Sequence, residues 1–130
     1  MKATEFYNFH ETINNIKSGA IDQLNVIIIE RHHDDDTEEL IGLEDFIFAG
    51  TSVDDAIRTM NWACKYIKPQ EGEMLRLFAA QTSVTPEDFE GFDPAAVYPE
   101  DFVGEYLSER ADDLGNLGTD DWNNREIRNN

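Results

Sequence analysis

The stretch AIDQLNVIIIERHHDDD, residues 20–36, decides the fold of this chain, because it fits two kinds of secondary structure. Its β-branched run at residues 26–29 favours a buried strand. Three apolar side chains also recur at helical spacing, and Ser18 is placed to cap a helix that contains them. They are Ile21, Leu24 and Ile28. Because the segment is longer than a typical strand and has no Gly or Pro after Gly19, we predict a helix.

That choice sets the predicted fold class, a mostly α single domain. The alternative is an α+β domain in which residues 25–30 and 45–48 form strands of a small sheet. The stretch TEELIGLEDFIFAG, which ends at Gly50, fits either a short helix or a strand at residues 45–48. We expect the domain to cover residues 1–121. Residues 122–130 have few apolar groups and no helix stop signal, so we expect a frayed C-terminal tail in which only Trp122 is able to dock.

Three further stretches have the spacing and boundary residues of helices. Thr4 can cap a helix over TEFYNFHETINNIKSG, which Gly19 would end. The clearest helix begins after Ser52, has Asp55 in a capping-box position and ends before Pro69. The compact apolar stretch EGEMLRLFAAQTS, residues 71–83, is predicted to be the third helix.

Length and composition indicate one ordinary domain. The chain has 130 residues, and 40% of them are hydrophobic, which is enough for a single modest core. No apolar run is long enough to cross a bilayer, and the N-terminal residues lack the apolar stretch of a secretory signal. Cys64 is the only cysteine and cannot form an internal disulfide. These features predict a cytoplasmic protein, in the host cytoplasm if the source is a virus or mobile element, with no membrane partner.

Charge is the most unusual property of the sequence. Twenty-eight acids against ten bases give a formal net charge of −18. Residues 34–55 contain nine acids and no base, and residues 85–121 contain twelve acids and one base, Arg110. A field of this sign repels nucleic acids and anionic membranes and attracts basic proteins or cations. We therefore expect no direct binding to nucleic acid, and we expect a basic protein as the partner.

The acids of the C-terminal third follow a helical pattern. The phrase PEDF occurs at residues 86–89 and 99–102, where Pro suits the first position of a helix and acids suit its first turn. In the helix predicted over residues 98–115, Asp101, Glu105, Glu109 and Asp112 form a row whose members stand roughly 4.5 to 6 Å apart along the axis. This spacing is comparable with the roughly 3.4 Å step between phosphates on one DNA strand. Asp112 and Asp113 fall in the last predicted turn, where the helix dipole disfavours negative charge.

The stretch EDFVGEYLSERADDLGNLG, residues 100–118, resembles the acidic helix with a Tyr and a following small-residue turn in antirestriction proteins of the ArdA type. The small size, acidity and aromatic content also resemble acidic DNA-mimic anti-defence proteins of phages and mobile elements, such as Ocr. The resemblance implies a non-catalytic inhibitor, able to form a homodimer, that occupies the DNA-binding groove of a basic nuclease or other nucleic-acid-binding partner. It also implies roles for eight acids. Asp101, Glu105, Glu109, Asp112 and Asp113 would replace phosphates, and Glu87, Asp88 and Glu90 would extend the row.

Catalytic and metal sites have weaker support in the sequence. There is no Gly-rich phosphate loop and no nucleophile elbow, so we expect no enzymatic activity and no cofactor. His32 and Asp36 are four residues apart and are the only weak metal-ligand candidates. The aspartate run lacks the spacing and the distal Glu of a calcium loop. A divalent-metal-binding protein is accordingly the least favoured function.

The main alternative to charge mimicry is a small structural or adaptor protein of a virus or mobile element. In this interpretation the acidity serves solubility, and apolar side chains mediate the contacts. An aromatic patch around Trp62, Tyr66 or Trp122 would then be the functional surface.

Overall fold

The computed structural model describes residues 8–129. The first part of the chain forms helix α1 (Phe9–Lys17), strands β1 (Gln23–His33) and β2 (Leu40–Phe48), helix α2 (Val53–Tyr66) and strand β3 (Glu73–Ser83). The second part contains 3-10 turns at Pro86–Phe89 and Pro94–Ala96, helix α3 (Pro99–Phe102), a π-helical turn (Val103–Leu107), a 3-10 turn at Ala111–Asp113, and strands β4 (Gly115–Asn116) and β5 (Asn124–Arg128). The chain is therefore an α+β protein, and the predicted mostly α, helical fold is wrong.

The centre of the fold is a five-stranded antiparallel sheet. β1 lies between β2 and β3, and the other edge of β3 pairs with β4 and β5. Because β2 and β3 both run antiparallel to β1, they are parallel to each other, and α2 makes the crossover that such a pair needs. The α+β alternative had placed strands at residues 25–30 and 45–48, and both segments lie inside observed strands.

Two covered faces explain why β1 is a strand despite its length and near-continuous apolar run. Its even-numbered residues, such as Val26 and Ile28, pack with α1 and the C-terminal turns on one face. Its odd-numbered residues, such as Ile27 and Ile29, pack with α2 on the other face. A strand that is buried on both sides loses the alternation that usually identifies strands. The same reason accounts for β3, which was wrongly predicted to be a helix over residues 71–83.

Two of the predicted helices are present, and each begins after a capping residue. The Oγ of Ser52 accepts a hydrogen bond from the backbone N–H of Asp55 at 3.1 Å and begins α2. α1 is capped by Asn8, whose Oδ1 accepts a hydrogen bond from the Glu11 N–H at 2.9 Å. The predicted Thr4 cap lies outside the described residues.

The C-terminal residues differ from the expected frayed tail. Asn124–Arg128 forms β5 on the edge of β3, and Ile127 is buried in the core beneath α2. Asn123 is fully buried, and its Nδ2 donates a hydrogen bond to the Gly118 carbonyl oxygen at 2.6 Å. None of the helices between residues 8 and 129 has the length and apolar composition needed to cross a bilayer.

Candidate partner-binding surface

The acidic helix predicted over residues 98–115 is present only in part. α3 continues directly into the π-helical turn that begins at Val103. Phe102, Val103 and Leu107 are buried against the sheet and α1. The side chains of Asp101, Glu105 and Glu109 are exposed on the opposite side. This part of the structure therefore keeps three of the predicted acids in one row.

Asp112 and Asp113 do not continue that row on the same helix. Both lie in the separate 3-10 turn Ala111–Asp113, where they are exposed. The prediction that they occupy the last turn of a long helix is wrong, since the helical segment ends before them. Asp112 and Asp113 are therefore not placed at the negative end of a long helix dipole.

Asp88 has different surroundings from its neighbours Glu87 and Glu90. Asp88 Oδ2 accepts a hydrogen bond from the Thr85 N–H at 2.9 Å, and Asp88 Oδ1 pairs with Arg110 Nη2 at 2.5 Å. Burial alone would raise the pKa of Asp88, but the Thr85 hydrogen bonds and Arg110 outweigh it and hold the pKa below its usual value. Glu87 and Glu90 line a separate shallow depression beside Lys17. They therefore do not extend the row on α3.

A cleft brings four of the predicted acids together with aromatic side chains. Its volume is about 190 Å³, and it lies between the first PEDF turn and the segment from α3 to Glu109. The acids at the cleft are Asp88, Asp101, Glu105 and Glu109, and the apolar lining comes from Phe89, Phe92, Val97, Phe102 and Tyr106. We call this feature the acidic cleft.

The aromatic wall of the acidic cleft is a packed cluster of rings. The rings of Phe102 and Tyr106 are stacked, with centroids 5.3 Å apart and an interplanar angle of 9°. Phe89 contacts both, at centroid distances of 5.8 Å and 5.0 Å. Phe89 and Phe102 are buried, whereas Phe92 and Tyr106 are half-buried and form the accessible part of the wall.

Tyr106 also contacts the only base in this acidic region. The Arg110 guanidinium carbon lies 5.3 Å from the centroid of the Tyr106 ring. Burial raises the pKa of Tyr106 to about 12, while Arg110 opposes this increase and Asp88 adds to it. The phenol therefore stays protonated at physiological pH. A neutral ring next to a guanidinium is the arrangement of a cation–π contact.

At the β1–β2 turn, by contrast, two of the acids, Asp34 and Glu38, form ion pairs. Arg128 pairs with Asp34 at 2.7 Å and with Glu38 at 2.6 Å, and Arg76 also pairs with Glu38. The hydrogen bond from Arg128 is the main cause that holds the pKa of Glu38 below its usual value, and burial opposes it. These contacts join β5 and β3 to the turn. Asp34 and Glu38 therefore have a structural use.

His32 and Asp36, the weak metal candidates, do not form a site. His32 is buried, its Nδ1 lies 2.9 Å from the Glu38 carbonyl oxygen, and its Nε2 lies 3.2 Å from Glu30 Oε1. Asp36 is exposed in the turn after β1. Between residues 8 and 129 no group of three or more His, Cys, Asp and Glu side chains is arranged to hold a metal ion. The geometry thus gives no support to metal binding here.

The aromatic side chains proposed for an adaptor surface are mostly part of the core. Trp62 and Trp122 are half-buried against the cluster beneath α2. Tyr66 is 60% exposed and contacts Trp62, with ring centroids 5.6 Å apart. Of these three side chains only Tyr66 is mostly exposed, and scattered exposed apolar residues are common on protein surfaces.

Sequence reasoning missed the apolar half of the acidic cleft. Phe92 and Val97 were not selected as site residues, because they lie in the irregular segment between the two PEDF phrases. The repeat itself was the available signal. Each phrase begins a helical turn and directs its Phe inward, which brings Phe89 and Phe102 together and leaves acids at the opening between them.

Comparisons with protein-family models, with curated proteins and with solved structures find no match to this chain.

Proposed function

We propose that this protein is a small, non-catalytic adaptor, of a virus or mobile element, that binds a basic protein partner at the acidic cleft. The observation that carries the proposal is the state of Asp101, Glu105 and Glu109. They are exposed beside accessible aromatic rings, and no ion pair reaches them from any residue between 8 and 129. A partner's bases would neutralise charges that the fold leaves unpaired. The exposed acids that neither line the cleft nor form ion pairs serve solubility, and the working compartment is the cytoplasm.

The partner in this proposal is a different protein rather than a second copy. Each chain carries a formal charge of −18, so two acidic clefts facing each other would repel. A basic protein would instead be attracted to the acidic cleft. Its lysines and arginines would be attracted to the cleft by the same field, and the half-buried rings of Phe92 and Tyr106 would offer apolar contact in the complex.

Nucleic-acid charge mimicry is the second candidate, and the row of three acids on one helical segment favours it. A long mimic needs a regular succession of charges. The regularity here stops at Glu109, since Asp112 and Asp113 belong to another turn and Asp88 is already paired with Arg110. The geometry therefore supports a local docking site better than an extended substitute for a DNA backbone.

The adaptor proposal is tested by binding of a fluorescent peptide of alternating lysine, arginine and glycine residues to the full chain, measured by fluorescence anisotropy. The test variant combines Asp101→Asn, Glu105→Gln and Glu109→Gln. The control variant combines Glu39→Gln, Glu71→Gln and Asp120→Asn, three exposed acids outside the cleft that give the same change in net charge. We expect the test variant to lose most of the binding and the control to keep it. Equal losses in both variants would mean that only overall charge matters, and absence of binding to the unmodified chain would refute the proposal.

Ionic strength and competition separate the two candidates. Raising the ionic strength from about 0.1 M to about 1 M shortens the Debye length from about 10 Å to about 3 Å, so adaptor binding through exposed charges should weaken steeply. Duplex DNA added as a competitor distinguishes the modes when the partner is a known DNA-binding protein. Competition at the partner's DNA groove supports mimicry, whereas a ternary complex with DNA supports an adaptor.

A further inference from the structure

We propose that the acidic cleft receives the side chain of one arginine from the partner, an inference that rests on the adaptor function above. The size of the cleft gives the first argument. Pockets for drug-sized ligands measure roughly 300–1,000 Å³, whereas a cavity of roughly 150 Å³ holds a molecule as small as benzene. At about 190 Å³ the acidic cleft is therefore large enough for one side chain and too small for a typical cofactor.

The lining of the cleft gives the second argument. Phe92, Val97 and Tyr106 provide an apolar and aromatic wall, while Asp101, Glu105 and Glu109 provide negative charge. A suitable occupant must therefore have an apolar stem and a positive end. Lysine and arginine are the two side chains that combine these parts.

The preference for arginine follows from the chemistry of the guanidinium group. This group is planar, is more weakly hydrated than an ammonium, stacks on aromatic rings and donates hydrogen bonds to two carboxylate oxygens at once. The carboxylates and half-buried rings of the acidic cleft can use all of these properties of the guanidinium. A lysine ammonium would gain the charge interaction but not the stacking or the bidentate geometry.

The protein already shows this mode of binding with its own Arg110. Its guanidinium lies over the Tyr106 ring at 5.3 Å and forms an ion pair with Asp88 at 2.5 Å. Arg110 itself is not among the residues that line the cleft. A partner's arginine would meet the same two kinds of group, an aromatic ring and a carboxylate, on the cleft side of the same aromatic cluster.

The experiment is an NMR titration of the isotope-labelled full chain with three short peptides of the form acetyl-Gly-X-Gly-amide. X is arginine, lysine or citrulline, and citrulline keeps the shape of arginine without its charge. We expect saturable shifts for the arginine peptide at backbone amides of residues 88–109, at least about threefold weaker affinity for the lysine peptide, and no saturable binding of the citrulline peptide.

Two variants locate the site. Glu105→Gln removes one cleft charge from an exposed position, and Glu71→Gln removes one charge from an exposed turn at the start of β3. Glu105→Gln should weaken arginine binding several-fold, and Glu71→Gln should leave it nearly unchanged. Phe92→Leu tests the aromatic contribution, since it should reduce the preference for arginine over lysine. Its spectrum and thermal melt report whether the fold is retained.

The results separate this inference from the adaptor function. If the longer basic peptide binds but the short arginine peptide shifts amides outside residues 88–109, the adaptor function stands and the arginine cleft is wrong. The arginine cleft is also wrong if Glu105→Gln and Glu71→Gln bind equally, or if citrulline binds as well as arginine. If neither basic peptide binds the unmodified chain, both proposals fail.

Discussion

Arg110 Nη2 lies 2.5 Å from Asp88 Oδ1, and this ion pair joins the end of the acidic helical segment to the first PEDF turn. Asp88 also accepts a hydrogen bond from the Thr85 N–H at the start of that turn. The single base of residues 85–121 therefore serves the fold around the cleft. Asp101, Glu105 and Glu109 form no ion pair with any residue between 8 and 129.

The first prediction concerns the stability that Asp88 contributes. Asp88→Asn should lower the free energy of unfolding at pH 7, because it weakens the ion pair with Arg110. The expected loss is only about 1 kcal/mol, because the pair is partly exposed and solvent screens it. Glu90→Gln, at the end of the same turn, should have little effect, since Glu90 is exposed and its side chain forms no hydrogen bond or ion pair with residues 8–129. Urea denaturation measures both. A loss for Glu90→Gln as large as for Asp88→Asn would mean that the turn responds to charge in general.

The pH dependence of the Asp88 effect follows from its lowered pKa. A carboxyl whose folded pKa lies below its unfolded value, about 3.9 for Asp, stabilises the fold above that value and loses this contribution as the pH falls through the folded pKa. The difference between the unmodified chain and Asp88→Asn should thus be full at pH 7 and shrink below about pH 4. If the difference in stability between the two proteins stays constant down to pH 2, the ionised form of Asp88 is not what stabilises the fold.

The second prediction concerns the junction of β2 with α2. Gly50 has φ +79°, and a Cβ placed on it would lie 2.5 Å from the Cβ of Asp55, in the capped first turn of α2. Gly50→Ala should therefore cost more than about 2 kcal/mol, from left-handed backbone strain together with overpacking. Gly72 is the matched control, since its φ is +78° and no atom lies within 4 Å of the position that a Cβ would take there. Gly72→Ala should cost only the backbone part, about 1 kcal/mol.

Thermal and chemical denaturation of the two alanine variants compare these costs directly. The difference between them isolates the clash with Asp55. If Gly50→Ala and Gly72→Ala are equally destabilised, Asp55 moves away without cost and the junction is less tightly packed than the structure indicates.

The sequence predicted helix α2 better than it predicted the strands. α2 was found because Ser52 and Asp55 form a local capping signal that does not depend on the rest of the fold. β1 and β3 were assigned to helices because each is buried on both faces, so neither shows the alternation of a half-buried strand. The decision between helix and strand depended on layers contributed by distant parts of the chain. That information is absent from a local window.

The candidate site was predicted in part for a similar reason. The exposed acids Asp101, Glu105 and Glu109 follow from helical spacing, and the structure does place them on one side. The aromatic wall of the cleft depends on how the two PEDF turns pack together, which spacing along the chain cannot give. Ile127 shows the same limit, since a short polar strand is recognisable only through the partner strand beside it.

The third prediction tests the role of β5. Ile127 is buried beneath α2 on the outer strand, so Ile127→Ala should lower the free energy of unfolding by about 2–4 kcal/mol. Arg125→Ala changes an exposed residue of the same strand and should cost less than about 0.5 kcal/mol. Urea denaturation measures both changes. A negligible effect of Ile127→Ala would restore the expectation of a frayed tail. Hydrogen exchange of the β3 amides provides a second readout, since they should exchange faster when β5 detaches.

The fourth prediction concerns the ion pairs at the β1–β2 turn. Arg128 donates a hydrogen bond to Glu38 at 2.6 Å and is the main cause of the lowered pKa of Glu38. Arg128→Met should therefore raise the pKa of Glu38 toward the value of a free glutamate, although Arg76 continues to oppose the increase.

NMR titration of the Glu38 side-chain carbon measures this shift, with Arg125→Met as the control that removes an arginine from the same strand. The pKa should move in the Arg128 variant and stay nearly fixed in the control, because a contact at hydrogen-bond distance acts far more strongly than a screened charge elsewhere on the surface. Equal shifts in the two variants would show that Glu38 senses the general field of the protein and not this contact.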